Sequence, residues 1–264
     1  MQELPMRSVV NLRDFGGTRT KDGKIIRSGL FLRSAALNRL SKKDASALRD
    51  AYGLRTVIDL RTQTEREQKP DAAIPGVETI SVPIFSEAEM GVTHEKEIDR
   101  RQLLSMLPDL KELYVRMVTD PACVDQLRMI FRLITEPRDG AILWHCTAGK
   151  DRCGIVSALL MRLLDVPQDT IEADYLATND ALKRTADRYY ALVLLMTRNR
   201  KAARRVRELY RADECCLRAA FEAIDARYGC TETFLREQLE LTDARIRALR
   251  ERALNNGNES PSIR

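Results

Sequence analysis

The chain has 264 residues, of which 44% are hydrophobic and 31% charged, with a formal net charge of +5. That is long enough to bury one good core with an appended subdomain, and too apolar for a disordered chain. The charge is compatible with anionic substrates but too small to indicate nucleic acid, and none is expected as a partner. The opening MQELPMRSVVNLRD lacks an apolar core and a small-residue cleavage site, so no secretory signal is expected. YYALVLLM at 189–196 is too short to span a bilayer. The six cysteines form no CxxC pair and no regular framework, which points to a reducing cytoplasm. No His or Cys stands at metal spacing, so neither metal nor cofactor is expected.

In chain order, KIIRSGLFLRS (24–34), RTVIDLR (55–61), VETISVPIF (77–85) and GAILWHC (140–146) read as strands, the last two nearly continuous in apolar character as in a buried sheet. SKKDASALRDAYG reads as a helix opening at Ser41 with Asp44 three positions on, and closing at Gly53. VDQLRMIFRLITEP places Val124, Leu127, Ile130, Phe131 and Leu133 on one helical face and ends before Pro137. CGIVSALLMRLL is a further helix. From Thr170 to Leu254 only amphipathic helical segments follow. The expected architecture is α/β, a central sheet of four or five strands flanked by helices over 1–166, a helical subdomain or lid over 167–254 continuous with it, and a flexible tail over 255–264.

HCTAGKDRCG at 145–154 lies between the strand GAILW and the helix that follows. Unpaired N–H groups and the positive dipole at a helix N-terminus favour an anion there. Ala148 and Gly149 let the backbone of Thr147–Lys150 close around a tetrahedral oxyanion. The same field depresses the pKa of Cys146, and Arg152 can bring its fork to two phosphate oxygens. This is the arrangement of a phosphoryl-transfer nucleophile. A nucleotide-binding Walker loop fits poorly, because no Ser or Thr follows Lys150.

HCTAGKDR resembles the HCxxGKDR signature of the bacterial atypical tyrosine/lipid phosphatases, a group with dual- and triple-specificity members. NLRDFGG at 11–17, FLRSAAL at 31–37, IDLRTQTE at 58–65 and DYLATN at 174–179 are similar to further segments of that family, the last with Thr178 in a Ser position. The resemblance implies a phosphatase-like fold and a phosphocysteine mechanism, with Cys146 as nucleophile and Arg152 as phosphate clamp. It implies a catalytic part for Asp151, as proton donor or as a partner fixing the loop. Lys150 would add the positive charge that accompanies acceptance of phosphoinositides beside phosphotyrosine.

An acid is needed in any case, because a tyrosine leaving group has a pKa of about 10. Asp151 is the first candidate, against Glu87, Glu89 and Asp99. Cys153 stands where relatives carry a hydroxyl. It reads as a small apolar residue, a weak donor to the leaving thiolate, or a disulfide partner for oxidised Cys146. Asp59 and Arg61 are expected to form structural ion pairs with Arg13, Asp14 or Arg33, and His145 to shape the loop by hydrogen bonding. The expected activity is metal-independent phosphomonoester hydrolysis, on phosphotyrosine with phosphoserine, phosphothreonine and phosphoinositides as further classes. The alternatives are a phosphatase of inositol lipids or small phosphates, a phosphate-binding pseudophosphatase, and a redox role for the thiolate.

Overall fold

The computed structural model describes residues 1–86 and 109–256. From the N-terminus come strands β1 (Gln2–Glu3), β2 (Arg13–Asp14), β3 (Ile25–Ile26) and β4 (Phe31–Ser34), helix α1 (Lys42–Asp50), strand β5 (Leu54–Asp59), helix α2 (Gln63–Gln68) and strand β6 (Glu78–Ser81). Helices α3 (Leu110–Thr119) and α4 (Pro121–Thr135) lead to β7 (Ala141–His145) and α5 (Asp151–Leu163). The remainder is helices α6 (Gln168–Thr197), α7 (Arg200–Leu209) and α8 (Glu214–Tyr228), a short α9 (Thr231–Thr233) running into a π turn, helix α10 (Asp243–Ala253) and strand β8 (Leu254–Asn255).

Local chemistry sets the ends of these helices. The Ser41 side chain accepts the Asp44 N–H ahead of α1, while the Asp44 carboxylate turns to the Ser8 N–H at 3.1 Å. Asp120 caps α4 with Pro121 in its first turn, where a missing N–H costs nothing. Thr62 and Glu65 form a reciprocal capping box at α2.

The sheet runs in the order β1-β2-β4-β7-β5-β6, antiparallel over its first three strands and parallel over the last four. Side chains on β7 alternate between two apolar layers. Ile142 and Trp144 join Phe31, Phe131 and Val156 on one side, and Leu143 joins Leu32, Leu48 and Val57 on the other. The first layer continues without a break into the C-terminal helices through Phe221, Ile224, Phe234 and Leu249. Register aligns Ser34, His145 and Asp59, so the parallel strands end together at one edge. Open α/β sheets bind ligands at such an edge.

Several sequence expectations change. Six strands form the main sheet rather than four or five, because β1 and β2 are two-residue strands too short to carry a pattern. KIIRSGLFLRS divides at Gly29, whose φ of +71° turns the chain, and its halves enter different sheets. VETISVPIF does not form a buried strand: Glu78–Ser81 is an exposed edge, and the buried Val82, Ile84 and Phe85 lie beyond it. Leu254–Asn255, expected at the boundary of helix and tail, pairs with Ile25–Ile26. Helices α2 and α3 were not expected at all.

One buried ion cluster ties the sheet to α6. Arg13 Nη1 lies 2.6 Å from Asp174 Oδ1 and Arg33 Nη1 lies 2.9 Å from Asp174 Oδ2, while Arg13 Nη2 donates to Thr178 Oγ1 at 2.8 Å. Asp174→Ala leaves two buried guanidinium groups uncompensated and is expected to lower stability by about 3–5 kcal/mol, read by denaturant unfolding. A loss within experimental error contradicts this role.

Candidate active site

Cys146 leaves the end of β7, and residues 146–150 turn directly into α5. Asn11 Nδ2 donates to the carbonyls of Ala148 at 3.3 Å and Gly149 at 2.9 Å, and Arg33 Nη2 donates to Gly149 O at 2.8 Å. A trans peptide points its N–H opposite its C=O, so the N–H groups of Gly149 and Lys150 face away from these anchors. Among the described residues, no N–H from Thr147 to Lys150 donates a protein hydrogen bond. The loop is therefore a nest of free donors at a helix N-terminus, fit for a tetrahedral anion. Gly149 is required here: its φ is +66°, and a Cβ would lie 2.5 Å from Ser34 O.

Arg152 is 7% exposed. Its Nη1 donates to Glu65 Oε2 at 2.6 Å and Leu60 O at 3.2 Å, and its Nη2 to Glu65 Oε1 at 2.8 Å. A guanidinium has five N–H donors, so the Nε–H and one Nη2–H are left, along a single edge. That edge is a ready fork for two phosphate oxygens while Glu65 holds the other. Thr147 Oγ1 also donates to Glu65 Oε1. Burial pushes the Glu65 carboxyl up, but the Arg152 hydrogen bonds and charge, the Thr147 hydroxyl and the Thr62 N–H outweigh it and hold it at about 2. Sequence reading left Glu65 without a role in the site; the Thr62-x-x-Glu65 capping pattern was the local signal that fixes its direction.

Cys146 is 3% exposed and carries a free thiol. The Cys153 thiol, which also lies 3.7 Å from Ser34 O and 3.9 Å from Trp144 O, acts against the opposing effect of burial and, together with the Arg152 charge and the Cys153 N–H, draws it down to about 5. Cys153 is pushed well above its ordinary value, first by burial and then by its bond to the Cys146 sulfur. It thus stays protonated as a donor.

His145 is fully buried, with Nε2 3.1 Å from Asp71 Oδ2. Asp59 and Arg61 do not pair with Arg13, Asp14 or Arg33. Arg61 Nη2 lies 2.8 Å from Asp59 Oδ2 and 2.5 Å from Asp71 Oδ2, because the chain turns back immediately after β5. Arg13 and Arg33 are taken by Asp174, and Asp14 accepts the N–H groups of Gly16 and Gly29. Asp59, Asp71 and His145 bring donor atoms within 4.8 Å of one another, but the Arg61 guanidinium already occupies both carboxylates.

Lys150 and Asp151 lie on the opposite flank. Lys150 Nζ donates to Leu209 O at 2.7 Å and Arg211 O at 3.1 Å, and lies 3.1 Å from Asp151 Oδ1. These bonds fasten the loop to the α7–α8 connection. Asp151 Oδ1 also accepts the Tyr114 O–H at 2.8 Å, and Tyr114 meets the Tyr175 hydroxyl at 2.7 Å. No hydrogen bond to Asp151 Oδ2 occurs among the described residues. The other acid candidates, Glu87, Glu89 and Asp99, lie outside the described residues.

A cleft of about 490 Å³ beside the loop is lined by Thr147, Ala148 and Glu65, by Leu182, Tyr189, Leu192 and Tyr210, and by Arg39, Lys69 and Arg188. Tyr189 and Tyr210 stack at 4.9 Å. No helix among the described residues is long and apolar enough to cross a membrane.

A match to the tyrosine phosphatase family extends over residues 4–255, and the chain belongs to that family. A tyrosine-protein phosphatase of Nostoc commune is 35% identical over 92 residues, 34% of this chain and 31% of that protein. The triple specificity protein phosphatase PtpB of Mycobacterium tuberculosis is 37% identical over 67 residues, 25% of this chain and 24% of that one. The chain thus spans about a third or less of the length of these curated relatives. The solved core catalytic domain of the PP-IP phosphatase SIW14 from S. cerevisiae, in complex with citrate, is a weak likeness: 15% identity over 83% of this chain and 94% of that one, with a TM-score of 0.37.

Alkylation of Cys146 by iodoacetamide is expected to rise with pH through an inflection near 5 and then level off, since the thiolate is the reacting form. Cys153→Ala removes the leading stabilising contact and is expected to move the inflection upward. An unmoved inflection contradicts the donor role of Cys153.

Proposed function

We propose that the chain hydrolyses phosphomonoesters through a cysteinyl-phosphate intermediate, with phosphotyrosine in proteins as the substrate class. The observation that carries this reading is the buried Cys146 thiol, drawn down to about 5, within a loop of free N–H donors beside the open edge of Arg152. The Cys146 thiolate attacks phosphorus, forming an S–P bond as the P–O bond to the leaving group breaks. Arg152 and the loop N–H groups of Thr147, Ala148, Gly149 and Lys150 balance the charge on the equatorial oxygens. Asp151 supplies a proton to the leaving phenolate. Water then attacks the phosphocysteine, passing its proton to Asp151, and Cys146 departs as a thiolate accepting the Cys153 S–H.

The aromatic and apolar wall of Tyr189, Tyr210, Leu182 and Leu192 suits an aryl phosphate. Phosphoserine and phosphothreonine are shorter and reach that wall less fully. Phosphoinositides keep the support of Arg39, Lys69 and Arg188, but lose that of Lys150, whose Nζ is engaged by Leu209 and Arg211.

Hydrolysis of p-nitrophenyl phosphate by the wild type, in EDTA, is expected to persist, and Cys146→Ser to abolish it. Wild-type protein that binds phosphate analogues without turnover overturns the reading in favour of a binding module. Asp151→Asn is expected to slow phenyl phosphate by about 10²–10³-fold but p-nitrophenyl phosphate far less, because the better leaving group needs less protonation. Equal losses on both substrates contradict Asp151 as the acid.

A further inference from the structure

Helices α6 and α7 form a hairpin that turns at Arg198, whose φ is +52°. Five large apolar side chains are exposed among the described residues, and three of them lie together here: Leu192 at 46%, Leu195 at 79% and Met196 at 58%. Their i, i+3, i+4 spacing places them on one face of the last turns of α6. Residues 188–207 hold seven Lys or Arg and no Asp or Glu. Among the described residues, only Arg207 of these forms an ion pair, with Asp187 at 2.8 Å. Arg198, Arg200, Lys201 and Arg204 make none with the described residues and stand exposed around the turn.

The hairpin is a built element rather than a frayed end. Asn199 caps α7 by accepting the N–H groups of Lys201 and Ala202, Ala202 and Ala203 are buried, and the Tyr189–Tyr210 stack closes the base. A rigid tip that keeps leucine and methionine in water, ringed by unpaired cations, has the composition of an interfacial anchor. Apolar side chains enter the acyl boundary and cations meet anionic headgroups. An acidic polypeptide would satisfy the cations but leave Leu195 wet.

We propose that the α6–α7 turn docks on an anionic lipid bilayer, with Leu195 and Met196 in the interface and Arg198, Arg200, Lys201 and Arg204 against the headgroups. Because Arg188 and Leu192 on the same helix line the cleft, docking places the mouth of the cleft at the membrane face. This inference does not depend on the chain being catalytic.

The test is co-sedimentation of the full chain with vesicles of phosphatidylcholine alone or mixed with phosphatidylserine. Binding is expected only to the mixed vesicles and to weaken with salt. Arg200→Glu/Lys201→Glu is expected to reduce it by at least roughly 30-fold, each cation near such a surface contributing about fivefold. Leu195→Asp/Met196→Asp is expected to abolish it. Both variants lie outside the cleft and should keep the wild-type unfolding midpoint and wild-type turnover of p-nitrophenyl phosphate. Failure of the wild type to bind mixed vesicles overturns the proposal. So does binding to polyglutamate that exceeds binding to vesicles and is untouched by the aspartate variant, which points to an acidic protein partner. A self-associating wild type that becomes monomeric in the aspartate variant, without vesicle binding, equally overturns it.

Discussion

The site depends on a line of alternating charge: the buried Cys146 thiolate and Arg152 guanidinium, and the partly exposed Glu65 carboxylate. Neither buried ion is tolerable alone, since an uncompensated buried ion costs several kcal/mol. Glu65 is the member that makes the set durable. Its two oxygens grip the end of the fork at 2.6 and 2.8 Å, so Arg152 is oriented whether or not a substrate is present. Because it is held at about 2, it stays ionised throughout the range in which Cys146 is a thiolate. The same carboxylate caps α2, so the backbone that starts that helix also aims Arg152.

The loop needs a second constraint, since a nest of N–H donors exists only if the carbonyls are turned out. Asn11 and Arg33 do this by binding Ala148 O and Gly149 O, and Arg33 is itself fixed by Asp174 on α6. Orientation of the anion site therefore rests on an ion cluster between the sheet and the long helix. Lys150 adds a tie on the far side, to the carbonyls of Leu209 and Arg211. Through it the loop is tied to the end of the α6–α7 hairpin, whose residues also line the cleft.

What was legible in the sequence was what is contiguous. The proposed nucleophile Cys146, the proposed clamp Arg152 and the strand-loop-helix around them fit in ten residues, so spacing and the small residues Ala148 and Gly149 mark the loop. Partners brought together by topology were not legible. Glu65 lies 87 positions from Arg152 and Asp174 lies 141 from Arg33. Charge alone could not assign Asp59 and Arg61 to each other and to Asp71, in place of the arginines nearer the N-terminus. Apolar runs also misled where burial did not follow the strand, as in Val82, Ile84 and Phe85, which are buried only after β6 has ended. The contacts of Lys150 were not legible for a related reason, since backbone carbonyls at 209 and 211 leave no mark in a sequence.

The most direct test is to quench the wild type during turnover of a phosphotyrosine peptide and map protein-bound phosphate by mass spectrometry under conditions that preserve thiophosphate esters. Phosphate on the peptide carrying Cys146, appearing and decaying at rates compatible with turnover, is the predicted result. Phosphate on any other residue, or sustained turnover with none on Cys146 at any time, contradicts the account.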